Sequence, residues 1–324
     1  MVTRPVDRPV RRAELKNRLK PGDWIFTALT SLAALTVIII IAGLFYVLIS
    51  RAWPSISAFG LPFIWETTWD PPKETFGAGV FVVGTLLTTA GALVVATVVG
   101  VLVALFLVDV APPRISRPVS YLVELLAAIP SVVYGLWGLF VFGVFIRDVL
   151  GPFITGNFGW LPFLDGTPLI TGLFSAMIIL SIMILPTITA VSRDVIAAVP
   201  RSQREGIMAL GATRWEMIRI AVIPYARSGI LGAAILGLAR AVGETLAVTL
   251  VIGNKVAIPH TIFDPTYTMA SVIANQFTEV ENEMHRAALL EVALLLLVIT
   301  FLINVVARLL VWRVTKGQRA VVIE

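Results

Sequence analysis

Cysteine is absent from this chain, and histidine occurs only at His260 and His285. Disulfides, iron–sulfur clusters and cysteine-built zinc sites are therefore excluded, and a histidine-rich metal centre has no stock to draw on. Charge is scarce as well. Only 14% of the 324 residues are Asp, Glu, Lys or Arg, against 58% hydrophobic. A water-soluble protein of this length needs more polar exterior than that, whereas a chain solvated by lipid tails does not. No G-x-x-x-x-G-K-[ST] segment occurs, so the chain does not cradle ATP phosphates by that loop. The net charge is +5. In a soluble domain such an excess would suggest nucleic acid. Here the basic residues gather in particular loops, which membrane topology explains without a nucleic-acid partner.

Unbroken apolar length is what the chain has in excess. Crossing the hydrocarbon takes about 20 mostly apolar residues. Six runs reach that length, near 24–50, 78–108, 119–146, 168–192, 228–253 and 287–312. Several are longer, which implies tilt or extension past the bilayer. The first is too long for a signal-peptide core and reads as a retained anchor. The expected fold class is all-α, a polytopic integral membrane protein with six transmembrane helices. Its expected parts are a basic N-terminal segment at 1–23, a first span at 24–50, a core at 78–315 containing a loop at 193–227, and a tail at 316–324. Pro130 and Pro186 fall inside apolar runs and should kink them.

Charge then sets the orientation. The N-terminal segment carries Arg4, Arg8, Arg11, Arg12, Lys16, Arg18 and Lys20; the 109–118 turn has Arg114 and Arg117. The 193–227 loop has Arg193, Arg201, Arg204, Arg214, Arg219 and Arg227, and the tail has Arg308, Arg313, Lys316 and Arg319. The intervening loops are poor in basic residues: 51–77 sets Arg51 and Lys73 against Glu66, Asp70 and Glu74, 147–167 has Arg147, and 254–286 is acidic. This alternation places both termini in the cytoplasm by the positive-inside rule. Trp53, Trp65, Trp69 and Trp160 fall in the external loops, where they suit an aromatic belt or an external partner. The stretch 268–290 has helical character and leads into the last span.

The longest basic loop contains REGIMALGATRWEMIRIAVIP, residues 204–224. Ser202 and Glu205 have capping-box spacing, as do Thr213 and Glu216. A short helix over 203–210, a left-handed Gly211 and a second helix ended or kinked by Pro224 follow from these signals. Two readings stay open on physics alone: an elbow lying on lipid headgroups, or a socket for a partner.

Ionisable residues at mid-membrane cost roughly 2.5–3.5 kcal/mol on insertion scales and usually pair or serve function. Arg240 and Glu244 stand four apart in LARAVGETLAV, where a continuous helix would let them meet. They are either a structural ion pair or an anion station. In the second case the arginine fork grips a tetrahedral oxyanion, and the carboxylate accepts a proton that hydrogen phosphate has and sulfate lacks. Thr245 offers a hydroxyl beside Glu244, and Ser131 and Tyr134 follow Pro130. Glu124 suits pairing with Arg114 or Arg117, and Glu291 has Arg286 as a neighbour.

The 204–224 stretch resembles the cytoplasmic loop of ATP-binding-cassette importer permeases, E-A-A, three residues, G, nine residues, I, any residue, L-P. Glu205, Gly211 and Pro224 match at that spacing, while Gly206, Ile207, Ala221 and Ile223 depart from it. The segments at 124–143, 225–254 and 63–71 are similar to the C-type phosphate-importer permeases. The resemblance implies a type I ABC importer permease fold with a coupling helix between spans four and five. The residues expected to couple to the ATPase are Ser202, Arg204, Glu205, Gly211, Thr213 and Arg214. Those expected along the substrate path are Arg240, Glu244, Thr245 and Ser131. It further implies a related A-type permease as heterodimer partner, two copies of an ATP-binding subunit, an extracytoplasmic phosphate-binding protein, and no cofactor.

Overall fold

Among the described residues, six helices are long and apolar enough to cross a membrane: Trp24–Phe59, Gly79–Val110, Ser131–Phe158, Leu173–Ala197, Arg214–Val242 and Glu283–Arg313. They are spans one to six. The computed structural model describes residues 21–319; the basic residues from Arg4 to Lys20 and the final residues 320–324 lie outside that range. Two units divide between Val47 and Leu48. In the first, the described part is helix with its apolar side chains exposed, the surface that lipid would solvate. The second unit holds everything else.

Two boundaries differ from expectation. The apolar run at 119–146 is divided. A separate helix, Pro113–Leu126, ends at Ala127, and Pro130 in extended conformation starts span three at Ser131. Proline favours a helix start because it lacks the N–H that would go unsatisfied there, so Pro130 begins a helix rather than kinking one. Pro186 does lie inside span four. Span five starts at Arg214, well before 228, and absorbs what sequence reads as a separate second helix. Pro224 does not end it. A wide turn with i→i−5 bonding, Ile218–Val222, precedes the proline and carries the chain into the helix Ile223–Val242. Such one-residue bulges let a helix pass a residue that disturbs its ordinary ladder.

Spans two and four form the spine. Gly84, Thr88, Ala92, Ala96, Gly100 and Ala104 recur every fourth residue on span two, and all are buried. A small-residue stripe brings two helices into close contact where lipid provides no hydrophobic drive to associate them. A Cβ on Gly100 would meet Thr189 Oγ1 at 3.1 Å on span four. Ile179, Leu180, Met183, Ile184 and Ile188 of span four fill the central core, with Tyr134, Ala233 and Val251 from its neighbours.

At one end a second core closes the bundle. Phe63, Phe76, Phe81, Tyr267, Met269 and Val292 pack together there. A two-residue hairpin pairs Trp69 with Phe76 and Asp70 with Thr75. Trp69 is not a belt residue: its ring meets Phe76 and Phe81 edge-on, and its Nε1–H donates to Gln276 Oε1 at 2.8 Å. Trp53, Trp65 and Trp160 remain exposed. The stretch leading to span six forms the helix Met269–Gln276, capped by Thr268 and Ser271, with its first half, Met269 to Val272, buried. Asp264 shapes the loop before it, accepting the N–H groups of His260 and Thr261 at 2.8 and 2.9 Å. Burial alone would raise this carboxyl, but those backbone donors outweigh it and hold it below the ordinary aspartate range.

At the other end a third core joins Ala104, Leu105, Ile196, Val199, Met217, Ile218 and Val222, with Ile207 packed against it. Glu124 pairs there with Arg193 at 3.0 Å, not with Arg114 or Arg117. Arg286, for its part, pairs with Glu283 and not with Glu291.

Candidate functional site

The helix of span five stops at Val242, with Gly243 as its cap. Gly243 through Thr245 cross a break, and a short helix, Leu246–Val251, resumes the path. The expected stacking of Arg240 on Glu244 therefore does not form, because the spacing of four brings side chains together only on a continuous helix. Among the described residues no ion pair includes either one. Glu244 turns to the resumed helix, where its Oε1 accepts the Ala247 N–H at 3.2 Å. Arg240 reaches across to span four, donating from Nη1 to Thr187 Oγ1 at 3.4 Å, a long bond. Arg240 is half-buried. It retains donors for a further acceptor, because five N–H groups are served by one long contact.

Of the other residues expected along the path, Thr245 lies in the break and Ser131 at the start of span three. Thr245 Oγ1 donates to the Gly243 carbonyl at 3.3 Å, which ties the hydroxyl to the backbone. Ser131 opens span three, and this part of the span packs on the resumed helix: a Cβ on Gly135 would meet Leu250 and the Ala247 backbone. Tyr134 is buried and donates to the Leu126 carbonyl at 2.8 Å, closing the turn around Pro130. An apolar cavity of about 210 Å³ lies nearby, lined by Thr85, Thr89, Leu93, Leu238, Val242 and Ile303. It offers an anion no charge.

In the 193–227 loop the glycine turn is as expected, while the first cap and the extent of the second helix are not. Its first helix is Arg201–Ala209, starting after Pro200 with no side-chain cap, so the Ser202–Glu205 box is not made. Pro200 takes the capping position and leaves Ser202 inside the first turn. Gly211 has φ +82 and turns the chain as expected. The Thr213–Glu216 box is complete: Thr213 Oγ1 receives the Glu216 N–H at 3.3 Å, and Glu216 Oε2 accepts the Thr213 N–H at 2.7 Å. Ser202, Glu205, Gly211, Thr213 and Arg214 are exposed, alongside Met208, Leu210 and Trp215. Arg204 differs from them. It turns inward to Asp109 Oδ1 at 2.9 Å and to the Ile196 carbonyl.

With this geometry, comparison with known proteins is informative. Residues 96–316 match the family described as binding-protein-dependent transport system inner membrane component. The chain belongs to this family. It is a multi-pass membrane permease, and relatives carrying the name phosphate transport system permease protein PstC are similar over nearly its whole length. The Haemophilus influenzae protein is 42% identical over 91% of this chain and 96% of its own. The Mesorhizobium japonicum protein is 40% identical over 96% of each, and PstC 2 of Mycobacterium tuberculosis is 40% identical over 95% and 97%. A chain from an inward-facing structure of the MetNI methionine ABC transporter superposes with a TM-score of 0.52 at 21% identity, covering 71% of the permease and 93% of that chain. That likeness shows the fold, an ABC importer permease.

Thr187 and Asp109 are the residues sequence reasoning passes over. A threonine after a mid-span proline carries no signal of its own. Asp109 does: it is a lone carboxylate closing a long apolar run, where a buried charge calls for a partner.

Proposed function

We propose that this permease is the C-type subunit of an ATP-driven inorganic phosphate importer, lining the path together with a related A-type permease. Two copies of an ATP-binding subunit supply hydrolysis, and an extracytoplasmic phosphate-binding protein delivers the substrate. Both termini lie in the cytoplasm, as does the 193–227 loop. The observation that carries the reading is Arg240, a half-buried guanidinium at a helix break with one long bond and donors to spare. Its fork matches a tetrahedral oxyanion. Glu244, within the break, has one oxygen engaged by Ala247 and one left for the proton of hydrogen phosphate. Because neither group is neutralised by the other, the station holds an anion without locking it, as passage requires. Thr245 lies in the same break, and the helix that Ser131 opens packs through Gly135 on the helix beyond it.

The exposed face of the Arg201–Ala209 helix, together with Thr213 and Arg214, forms the lever on which the ATPases act. The test is ATP-dependent uptake of labelled phosphate by the reconstituted complex, with and without Arg240→Ala. Uptake that needs ATP and collapses in the variant supports the reading. Uptake without an ATPase, or uptake that ignores the substitution, refutes it. Competition by excess sulfate or a phosphonate distinguishes phosphate from other oxyanions.

A further inference from the structure

Arg204 stands in the loop helix, yet its bonds lie inside the bundle. Nη1 is 2.9 Å from Oδ1 of Asp109, whose side chain is 3% exposed, and Nη2 donates to the Ile196 carbonyl. Asp109 sits in the wide turn Phe106–Val110 that closes span two. Ile196 sits in the last turn of span four. One guanidinium therefore joins the loop helix to both spans of the spine. Ile207, a turn further on, packs into the apolar cluster of Leu105, Ile196, Val199 and Val222 beneath it. Ser202, Glu205 and Met208 stay on the open side. The helix thus has an outer face free to be pushed and an inner face bonded to spans two and four. Span four also carries Thr187, the residue that touches Arg240.

We propose that the buried Asp109–Arg204 pair is a strut that makes the Arg201–Ala209 helix move as one body with spans two and four, so that breaking it separates ATP hydrolysis from transport. This rests on the reading of the chain as an ATP-driven permease. A buried ion pair is a poor source of net stability, because desolvation offsets most of its attraction. It is a good source of stiffness and direction, since a charged fork holding two acceptors tolerates little displacement. Asp109 is a positioning residue here; it touches no substrate.

The test uses the full complex of both permeases, the ATPases and the binding protein in vesicles. Phosphate uptake and ATP hydrolysis are measured on the same preparation. In Asp109→Asn the complex assembles and hydrolyses ATP, while phosphate moved per ATP falls about tenfold, the scale of a coupling free energy between linked sites. The reversed pair, Asp109→Arg with Arg204→Asp, recovers part of that ratio. An unchanged ratio in Asp109→Asn, or uptake and hydrolysis falling in proportion, overturns the strut.

A second measurement leaves the pair intact and is independent of how the variants fold. The chain has no cysteine, so Ser202→Cys with Val110→Cys gives unique label sites in this subunit. The strut requires their separation to stay fixed between the nucleotide-free and ATP-trapped complexes. A separation that changes with nucleotide overturns it. Failure of the broader reading looks different: the unmodified complex would then show no ATP-dependent phosphate uptake at all.

Discussion

Arg204 and Arg240 are both drawn into the bundle, and their surroundings could hardly differ more. Arg204 meets a buried carboxylate and a backbone carbonyl, and an apolar core closes beneath it. Among the described residues, Arg240 has a single long side-chain bond, to a threonine, beside a gap in the helix that carries it. A guanidinium with partners on two sides organises structure. One left short of partners at a helix break is available to something that comes and goes.

The sharpest way to break this contrast is to truncate each arginine and compare the losses. Arg204→Ala strands Asp109 as a buried unpaired charge, and breaking such a pair from one side costs about 3–5 kcal/mol. Reduced thermal stability and poor recovery of the complex are expected, readable by a thermal-shift assay in detergent. Arg240→Ala strands no carboxylate. The complex should assemble with near-normal stability yet lose about ten- to a hundredfold in uptake, the loss of one or two charge-assisted hydrogen bonds of about 1.5–3 kcal/mol. Equal stability losses in the two variants would erase the distinction.

Glu244→Gln sharpens the picture on the substrate side. Discrimination between phosphate and sulfate should fall about three- to tenfold, less than a full hydrogen bond to a charged group, because the glutamine carbonyl still accepts. Selectivity measured by competition uptake and found unchanged would remove Glu244 from recognition. Thr187→Val should cost less. The bond it removes is long, at 3.4 Å, and so falls short of the about 1.5–3 kcal/mol of a well-formed bond from a charged donor; the readout is the phosphate concentration at half-maximal uptake.

The smallest effect belongs to the far end of the molecule. Asp264 is held below the ordinary aspartate range by backbone donors. A carboxyl lowered in the folded state adds stability above its unfolded value and loses it as pH falls through the folded one. Acid sensitivity of the 254–268 loop is therefore expected only below the usual aspartate range, and Asp264→Asn should abolish that dependence. Hydrogen–deuterium exchange across an acid series measures it.

Much of this was legible in the residues. Apolar runs mark six crossings because lipid demands them, and Gly211 and the Thr213–Glu216 box mark a turn because local sterics and local hydrogen bonds set it. The misses share a cause. Pro200 displaces Ser202 from the cap, Gly243 interrupts the helix that would have stacked Arg240 on Glu244, and Pro130 starts a span instead of bending one. In each a glycine or proline takes a choice that periodicity alone assigns elsewhere. Asp109 with Arg204 and Trp69 with Gln276 were illegible for another reason: residues far apart in the chain meet only once the spans are packed, and no local pattern encodes which carboxylate or amide will be opposite.

The wide turn at Ile218–Val222 has one last implication, an angular one. Its surplus residue sets the phase of all that follows on span five. Each residue of an ordinary helix advances about 100°. Wound as ordinary helix, the same residues would swing the downstream face, with Arg240 on it, roughly a quarter-turn out of alignment with Thr187; the wide turn absorbs that surplus rotation. The bulge works as a clocking key: deleting one residue within it should leave Arg240 aligned, whereas deleting one from the ordinary helix between it and Arg240 should cost transport.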